Sequence, residues 1–89
     1  MKIKQGFVAR EIAGEYILIP VGETAMQVRG MISLSESGYL IYQKLQQDCE
    51  KVDLIRAVLN EYEVEQSVAE AEVEAFLDQL RQLNLLIEG

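Results

Sequence analysis

The spacing of apolar residues changes near residue 35, and this change constrains the fold more than any other feature. Before it, two β-prone segments, 7–12 and 15–20, are joined by Ala13-Gly14. A two-residue connection with glycine suits a hairpin, because glycine adopts a positive φ cheaply. Pro20 ends the second segment or restricts it to a sheet edge. Ala25 to Val28 is predicted to be extended and Met31 to Leu34 to form a short third strand.

After this point the apolar residues recur with helical spacing. Ser35 is a predicted N-cap for a first helix. The positions on one face of that helix are Leu34, Gly38, Ile41, Tyr42 and Leu45. The polar stretch 48–51 interrupts the pattern, and the second helix then has its apolar face at Ile55, Val58, Leu59 and Tyr62.

The third predicted helix has the clearest start signal in the chain. Ser67-Val68-Ala69-Glu70 matches a capping box, in which Ser67 and Glu70 each accept a backbone N–H of the other. Asn84 can adopt the left-handed conformation that closes a helix. The apolar stripe between these signals consists of Val73, Phe76, Leu77, Leu80 and Leu83.

Three strands alone expose one apolar face, and three helices alone expose another. Packing the two against each other buries both. The sequence therefore predicts a single α+β domain over residues 1–89. Its expected architecture is a winged helix-turn-helix, with a three-stranded antiparallel sheet followed by three helices.

Several kinds of chemistry are missing from the 89 residues. There is no histidine, and Cys49 is the only cysteine, which removes a Ser-His-Asp triad, an intramolecular disulfide and a four-cysteine zinc site. No glycine-rich phosphate loop is present. We therefore expect no enzyme activity, cofactor or metal. The lone cysteine and the absence of a signal-peptide pattern favour a cytoplasmic location, and no apolar run is long enough to span a membrane.

Negative charge is concentrated in the second half of the chain. The net charge is −7, with +1 over residues 1–34 and −8 over residues 35–89. Such a surface repels nucleic acid and anionic lipid and is compatible with basic peptides. The alternative is that the acidic side chains simply keep a small domain soluble.

Two groups of carboxylates could suggest a cation or catalytic site. The first group is Glu61, Glu63 and Glu65. The second, on the third helix, is Glu70, Glu72, Glu74 and Asp78, of which Glu70, Glu74 and Asp78 share a face. Paired catalytic carboxylates need a cleft and a perturbed pKa, so we interpret both groups as solvated surface. Cys49 lies between two acidic residues, which disfavours its thiolate.

The third predicted strand is a candidate binding edge. Met31-Ile32-Ser33-Leu34 carries no charge that would block pairing with another strand. An extended peptide can add to such an edge through main-chain hydrogen bonds. The alternative is that this strand only leads into the first helix and that a neighbouring segment covers its edge.

Three segments resemble the corresponding segments of PqqD-like proteins. They are 30–38, with the sequence GMISLSESG, 55–64, with IRAVLNEYEV, and 73–80, with VEAFLDQL, which is followed by Leu85-Leu86. The opening segments 7–12 and 16–22 are similar to a stand-alone subgroup. The resemblance covers about residues 7–87 and depends on the order and spacing of apolar positions.

This resemblance implies a non-catalytic recognition element for ribosomally made precursor peptides. The leader segment of the precursor would pair with the third strand, between that strand and the third helix. The partner enzyme would usually be of the radical SAM/SPASM type. Carried onto this chain, the peptide edge would be Met31, Ile32, Ser33 and Leu34. The helix wall would include some of Ala69, Glu72, Val73, Phe76 and Gln79, although Val73 and Phe76 also fit simple core packing.

Two turns depart from the common family pattern. Residues 48–51 replace a frequent Asp-Gly turn, and Asn84 stands where glycine is frequent. Both departures argue against a role in pyrroloquinoline quinone synthesis itself more than against the fold. The precursor and the modification chemistry are not fixed by the sequence.

Two other functions compete with peptide recognition. One is a winged-helix regulator that binds DNA, but the third helix has four acidic residues against Arg81, and DNA binding requires clustered basic residues. The other is a structural subunit that docks on an enzyme. An unpaired edge strand also permits a homodimer.

Overall fold

The structure, a computed structural model, describes residues 1–88. These residues form five short strands and four helices. The elements are β1 (Lys2–Ile3), β2 (Phe7–Ile12), β3 (Glu15–Pro20), α1 (Thr24–Gln27), β4 (Ile32–Leu34), α2 (Glu36–Lys44), α3 (Lys51–Glu61), α4 (Gln66–Gln82) and β5 (Leu86–Ile87). Of these, β1 and β5 have two residues each and α1 has four.

The β2–β3 hairpin forms where the sequence predicts it. Its antiparallel register runs from Phe7 opposite Pro20 to Ile12 opposite Glu15. The connection has φ of 53° at Ala13 and 83° at Gly14. Positive φ at both central residues is the geometry of a type I′ turn, which matches the right-handed twist of the strands. Ala13 adopts this positive φ although its Cβ makes the conformation less favourable than it is for glycine.

The third strand of the sheet is shorter than predicted. β4 pairs antiparallel with β3 from Leu18 opposite Ile32 to Tyr16 opposite Leu34, so the sheet order is β2-β3-β4. Met31 precedes the strand and is 65% exposed. The predicted α+β class with a three-stranded antiparallel sheet is confirmed, while the winged helix-turn-helix label stays a prediction.

The prediction of extended backbone at Ala25 to Val28 is confirmed for Val28, with φ of −111° and ψ of 118°, and wrong for residues 25–27. Residues 24–27 form the short helix α1, in which Val28 N–H donates to the Thr24 carbonyl at 2.8 Å. Local bonds of this kind satisfy the backbone where no partner strand is within reach. The Thr24 hydroxyl also donates to the Gln5 carbonyl at 3.1 Å.

The structure adds a second, two-stranded sheet that the periodicity does not indicate. β1 pairs antiparallel with β5, with Ile3 opposite Leu86. Ile3 is 1% exposed, and its N–H donates to the Leu45 carbonyl at 3.0 Å. The two ends of the described chain are therefore joined to each other and to the end of α2.

The predicted N-cap of α2 is confirmed, and the predicted start of α4 is wrong. Ser35 is the N-cap of α2, and its hydroxyl accepts from Gly38 N–H at 3.0 Å, as predicted. The capping box at Ser67 is wrong, because α4 begins at Gln66 with Glu65 as N-cap. The Glu65 carbonyl already accepts the first helical bonds, so Ser67 lies inside the first turn. Within residues 1–88 no helix is long and apolar enough to cross a bilayer.

The core lies between the helices and the inner face of the three-stranded sheet. Leu18, Ile41, Leu54 and Leu77 are at most 1% exposed. Tyr16 of β3 stacks on Tyr39 of α2, with ring centroids 4.3 Å apart, and so joins the two layers. The predicted core positions on α2 and α4 are confirmed, except that Leu83 is 40% exposed. Asn84, at φ of 58°, follows α4 in the predicted left-handed conformation.

The turn at Ala13 predicts a stabilising substitution. Asparagine tolerates positive φ better than alanine, so Ala13→Asn is expected to raise the free energy of unfolding by about 0.5 kcal/mol. The matched control is Ala71→Asn on the exposed surface of α4, where the same change should lower it by about 0.5 kcal/mol. Urea denaturation of the three proteins measures both values. Equal effects at the two positions would contradict the turn argument.

Candidate functional site

Helix α4 presents three different faces. The first is the buried stripe of Ala69, Val73, Phe76, Leu77 and Leu80. On one flank of this stripe, helical spacing places Glu74, Asp78 and Arg81, which form ion pairs. On the other flank lie Val68, Glu72, Ala75 and Gln79, which face open cavities. This second flank, together with the start of α2, is called the candidate groove below.

A chain of hydrogen bonds fixes the start of α2 against the groove side of α4. The Ser37 hydroxyl donates to Glu72 Oε2 at 2.8 Å, and Ser35 Oγ lies 3.2 Å from Ser37 Oγ. Because the Ser37 proton is used by Glu72, the Ser35 hydroxyl is the donor to Ser37. Ser35 directly follows β4, so these bonds connect the end of that strand to α4.

Three cavities follow one another along the candidate groove, and Glu72 lines all of them. One of them is a shallow depression of about 390 Å³ on α4 itself, bounded by Ser67, Val68, Ala71, Glu72 and Ala75. Towards the C-terminal end of α4, a cavity of about 140 Å³ is lined by Ser35, Gly38, Glu72, Ala75, Phe76 and Gln79.

The remaining cavity lies at the N-terminal end of α4 and has a volume of about 290 Å³. It is called the three-helix cavity, because α2, α3, α4 and the α3–α4 loop surround it. Its lining residues are Ser35, Glu36, Ser37, Val58, Tyr62, Val64, Val68 and Glu72.

The outer edge of β4 has no partner strand within residues 1–88. The two-residue hairpin makes Ile12 and Glu15 a hydrogen-bonded pair, and such pairs alternate with non-bonded ones along antiparallel strands. Continuing the alternation across β3, we infer that Ile32 and Leu34 bond to β3. The N–H and C=O of Ser33 then point away from β3, towards the open edge.

The structure brings only some of the predicted site residues to an accessible surface. On β4, Ser33 is exposed and Ile32 half-buried, whereas Leu34 is 9% exposed, and Met31 precedes the strand. On α4, Glu72, Phe76 and Gln79 line cavities of the groove. Ala69 and Val73 are fully buried in the core, so neither forms part of the groove surface.

Sequence reasoning missed several residues of the groove. Ala75 lies three residues after Glu72 and four before Gln79, so helical spacing alone could have placed it on this face. Ser37, Tyr62, Val64 and Val68 come from three different segments. No local pattern brings these segments together.

The opposite flank of α4 is an ion-pair network rather than a free acidic surface. Arg81 lies 2.7 Å from Asp78, 3.3 Å from Glu74 and 3.0 Å from Glu88, and Lys51 of α3 also pairs with Glu74. The cations of Lys51 and Arg81 hold the pKa of the Glu74 carboxyl below its usual range. Arg81 does the same to the pKa of Glu88.

No arrangement for nucleophilic or metal chemistry is apparent among residues 1–88. Burial, and then the nearby acidic residues, raise the pKa of the Cys49 thiol, although the N-terminal amino group opposes this. The thiol is thus kept protonated. No group of three potential metal ligands is found in this part of the chain. What the groove offers is hydrogen bonding, apolar contact and negative charge.

Comparison with known proteins agrees with this geometry. The family described as coenzyme PQQ synthesis protein D (PqqD) matches residues 15–86. The chain belongs to the PqqD family. This match covers β3, β4 and the helices, and therefore all the segments that build the candidate groove.

Two solved structures share the fold of this PqqD family member. One is "TbiB1 in Complex with the TbiA(beta) Leader Peptide", with a TM-score of 0.74 and 24% identity over 100% of this chain and 98% of the other. The second is "Lasso peptide synthetase B1 complexed with the leader peptide", with a TM-score of 0.71 and 18% identity over 98% and 96% of the two chains. No curated protein sequence matches the chain at a significant level.

The ion-pair network predicts a pH-dependent contribution to stability. The folded-state pKa of Glu74 and Glu88 is lowered, so their contribution is present above the unfolded value and is lost as pH falls through the folded one. Arg81→Gln should therefore lower Tm at about pH 7, and the difference from the unchanged protein should shrink towards about pH 3.

Arg56→Gln is the matched control for this measurement. Arg56 has a single exposed partner, Asp53, at 3.8 Å, so its removal should change Tm less. Circular dichroism melts over the pH range give all three curves. A difference for Arg81→Gln that persists undiminished at the acid end would contradict the assignment to carboxylate pairing.

Proposed function

We propose that this protein binds the leader segment of a ribosomally made precursor peptide and presents it to a separate modifying enzyme. The observation that carries the proposal is the open outer edge of β4 beside the cavities of α4. A groove bounded by a strand edge and a helix suits an extended peptide, because the strand supplies main-chain bonds and the helix supplies side-chain contacts.

The comparisons support this proposal in two ways. Membership in the PqqD family agrees with the resemblance that implied leader recognition. Both solved structures with the same fold are described as complexes with a leader peptide. In this chain, the equivalent peptide would pair with Ser33 and lie along Glu72, Ala75 and Gln79.

The charge of the groove favours a peptide over a nucleic acid. Glu72 lines every cavity of the groove, and α4 also carries Glu70, Glu74 and Asp78. Of the basic residues, α4 contributes Arg81, which is engaged by three carboxylates. Phosphate contacts supply most of the affinity for DNA, and this surface would repel them.

We propose that the protein itself is not catalytic and that a partner enzyme performs the modification. The family resemblance favours an enzyme of the radical SAM/SPASM type, whereas one structural neighbour is described as a lasso peptide synthetase component. Co-purification from the native host, followed by mass spectrometry, distinguishes these partners. Recovery of neither class would count against the presentation role.

A homodimer and a cytoplasmic location are part of the same proposal. If two copies pair through β4, the leader peptide must compete with the second copy for this edge. Light scattering during chromatography, with and without peptide, tests this. A dimer that remains intact when peptide is bound would place the dimer interface elsewhere.

The direct test is isothermal titration with synthetic leader peptides of the small precursors encoded near this gene. We expect 1:1 binding with a Kd of about 1 μM or tighter, equivalent to about −8 kcal/mol. A folded protein that binds none of these peptides would contradict leader recognition and favour the alternative of a subunit that docks on an enzyme.

The strand-addition mechanism predicts the effect of Ser33→Pro. Proline removes the N–H that points to the open edge but leaves the inferred β3–β4 bonds in place. Affinity for the leader peptide should fall about tenfold or more, since main-chain bonds to the edge are lost. Ser33→Thr keeps the N–H and is the control. Unchanged affinity in folded Ser33→Pro would exclude pairing at this edge.

A further inference from the structure

Strand addition alone does not use the three-helix cavity, which is smaller than the depression on α4 but less open to solvent. Its apolar wall consists of Val58 of α3, Tyr62 and Val64 of the α3–α4 loop, and Val68 of α4. Val64 is 38% exposed and Val68 is 45% exposed. Apolar side chains left open to water around a cavity gain free energy when another apolar group covers them.

The size of the cavity fits one side chain. Its volume of about 290 Å³ lies at the lower limit of pockets that hold small molecules, about 300–1,000 Å³. Several waters or one large apolar side chain would fill this space. A drug-sized ligand or a nucleotide would not be enclosed.

Its position fits a peptide that is already paired with β4. Ser35 lines this cavity and also the 140 Å³ cavity beside Phe76, and it follows Leu34 directly. An extended peptide advances about 3.3 Å per residue. A strand bound opposite Ser33 therefore needs only a few further residues to reach the cavity.

Negative charge borders the cavity. Glu36 and Glu72 are both exposed and both line it. Among residues 1–88, no lysine or arginine forms an ion pair with either, in contrast to Glu74 and Asp78 on the other flank of α4. Glu72 accepts the Ser37 hydroxyl through Oε2, which leaves Oε1 free to accept from another donor.

We propose that the three-helix cavity anchors the leader peptide by taking one large apolar side chain, while Glu36 and Glu72 bind a lysine or arginine next to it in the peptide. This inference rests on the proposed function and specifies the peptide that the groove selects. The apolar side chain supplies most of the affinity, and the cation supplies selectivity.

The test uses a displayed library of random 12-residue peptides, because such a library can be screened without knowing the natural ligand. Peptides enriched on the unchanged protein are sequenced, and the strongest are synthesised and titrated. We expect a leucine, isoleucine, phenylalanine or tyrosine with a lysine or arginine within two positions. Enriched peptides with an acidic residue there would overturn the charge assignment.

Val68→Trp tests the cavity itself, since the indole would occupy it from an exposed helical position. Affinity for the selected peptides should fall about tenfold or more, the factor expected when one apolar side chain is no longer buried. Val52→Trp on α3 is the matched control, because Val52 is 54% exposed and does not line the cavity. Equal affinities of the two folded variants would overturn the cavity assignment.

The double variant Glu36→Gln/Glu72→Gln tests the charge and does not depend on the tryptophan variant folding. Affinity should fall about threefold at about 0.05 M salt, and the effect should shrink at about 0.5 M salt. Glu63→Gln/Glu70→Gln makes the same charge change at two exposed carboxylates that do not line the cavity, and it should have less effect. An equal loss in both pairs would overturn a specific role for the cavity carboxylates.

The proposed function and this inference fail in different ways. If Ser33→Pro abolishes binding of the selected peptides but Val68→Trp does not, strand addition stands and the cavity anchor is wrong. If no peptide is enriched, or if binding is independent of Ser33, leader recognition at β4 is wrong and the anchor falls with it.

Discussion

The packing of the α4 apolar stripe is the interaction on which the other elements depend. Val73, Leu77 and Leu80 are at most 1% exposed. Phe76 lies against the start of α2, so closely that a Cβ added to Gly38 would be 3.6 Å from its ring. Burying one such side chain contributes about 1.5–3 kcal/mol. In a small domain this is a large fraction of a total stability of about 5–10 kcal/mol.

Because this stripe fixes the rotation of α4, it also decides what the two flanks of the helix can do. One flank is directed towards Lys51 and Glu88, and its carboxylates are neutralised by Lys51 and Arg81. The other flank is directed towards the start of α2, where Ser37 binds Glu72. Acidic residues of the same helix thus have different environments. Only the second flank combines negative charge with open cavities.

The sheet contributes a complementary constraint. A three-stranded sheet has two edges, and an unpaired edge is an aggregation hazard unless it is short, covered or used for binding. β4 is only three residues long, which limits this hazard, and the polar chain through Ser35 holds its end against α4. The same arrangement keeps the edge beside the groove, so a peptide could use both surfaces at once.

Local patterns were sufficient for much of the architecture. The hairpin, the N-cap at Ser35 and the buried positions of α4 follow from side-chain spacing and backbone preference, which act over a few residues. They failed at residues 25–27, which are helical, and at Ser67, which lies inside the first turn of α4. The predicted groove residues Glu72, Phe76 and Gln79 line the cavities, but Ala69 lies in the core.

The sequence by itself determined the α+β class, the apolar stripe of α4 and the absence of histidine and disulfide chemistry. Only the tertiary structure decided which carboxylates are paired, which way the Ser33 backbone points and that Val58, Tyr62, Val64 and Val68 surround one cavity. The physical reason is distance along the chain. Periodicity reports which face of an element is buried, whereas a cavity depends on how separate elements pack, and that is fixed only when all of them share one core.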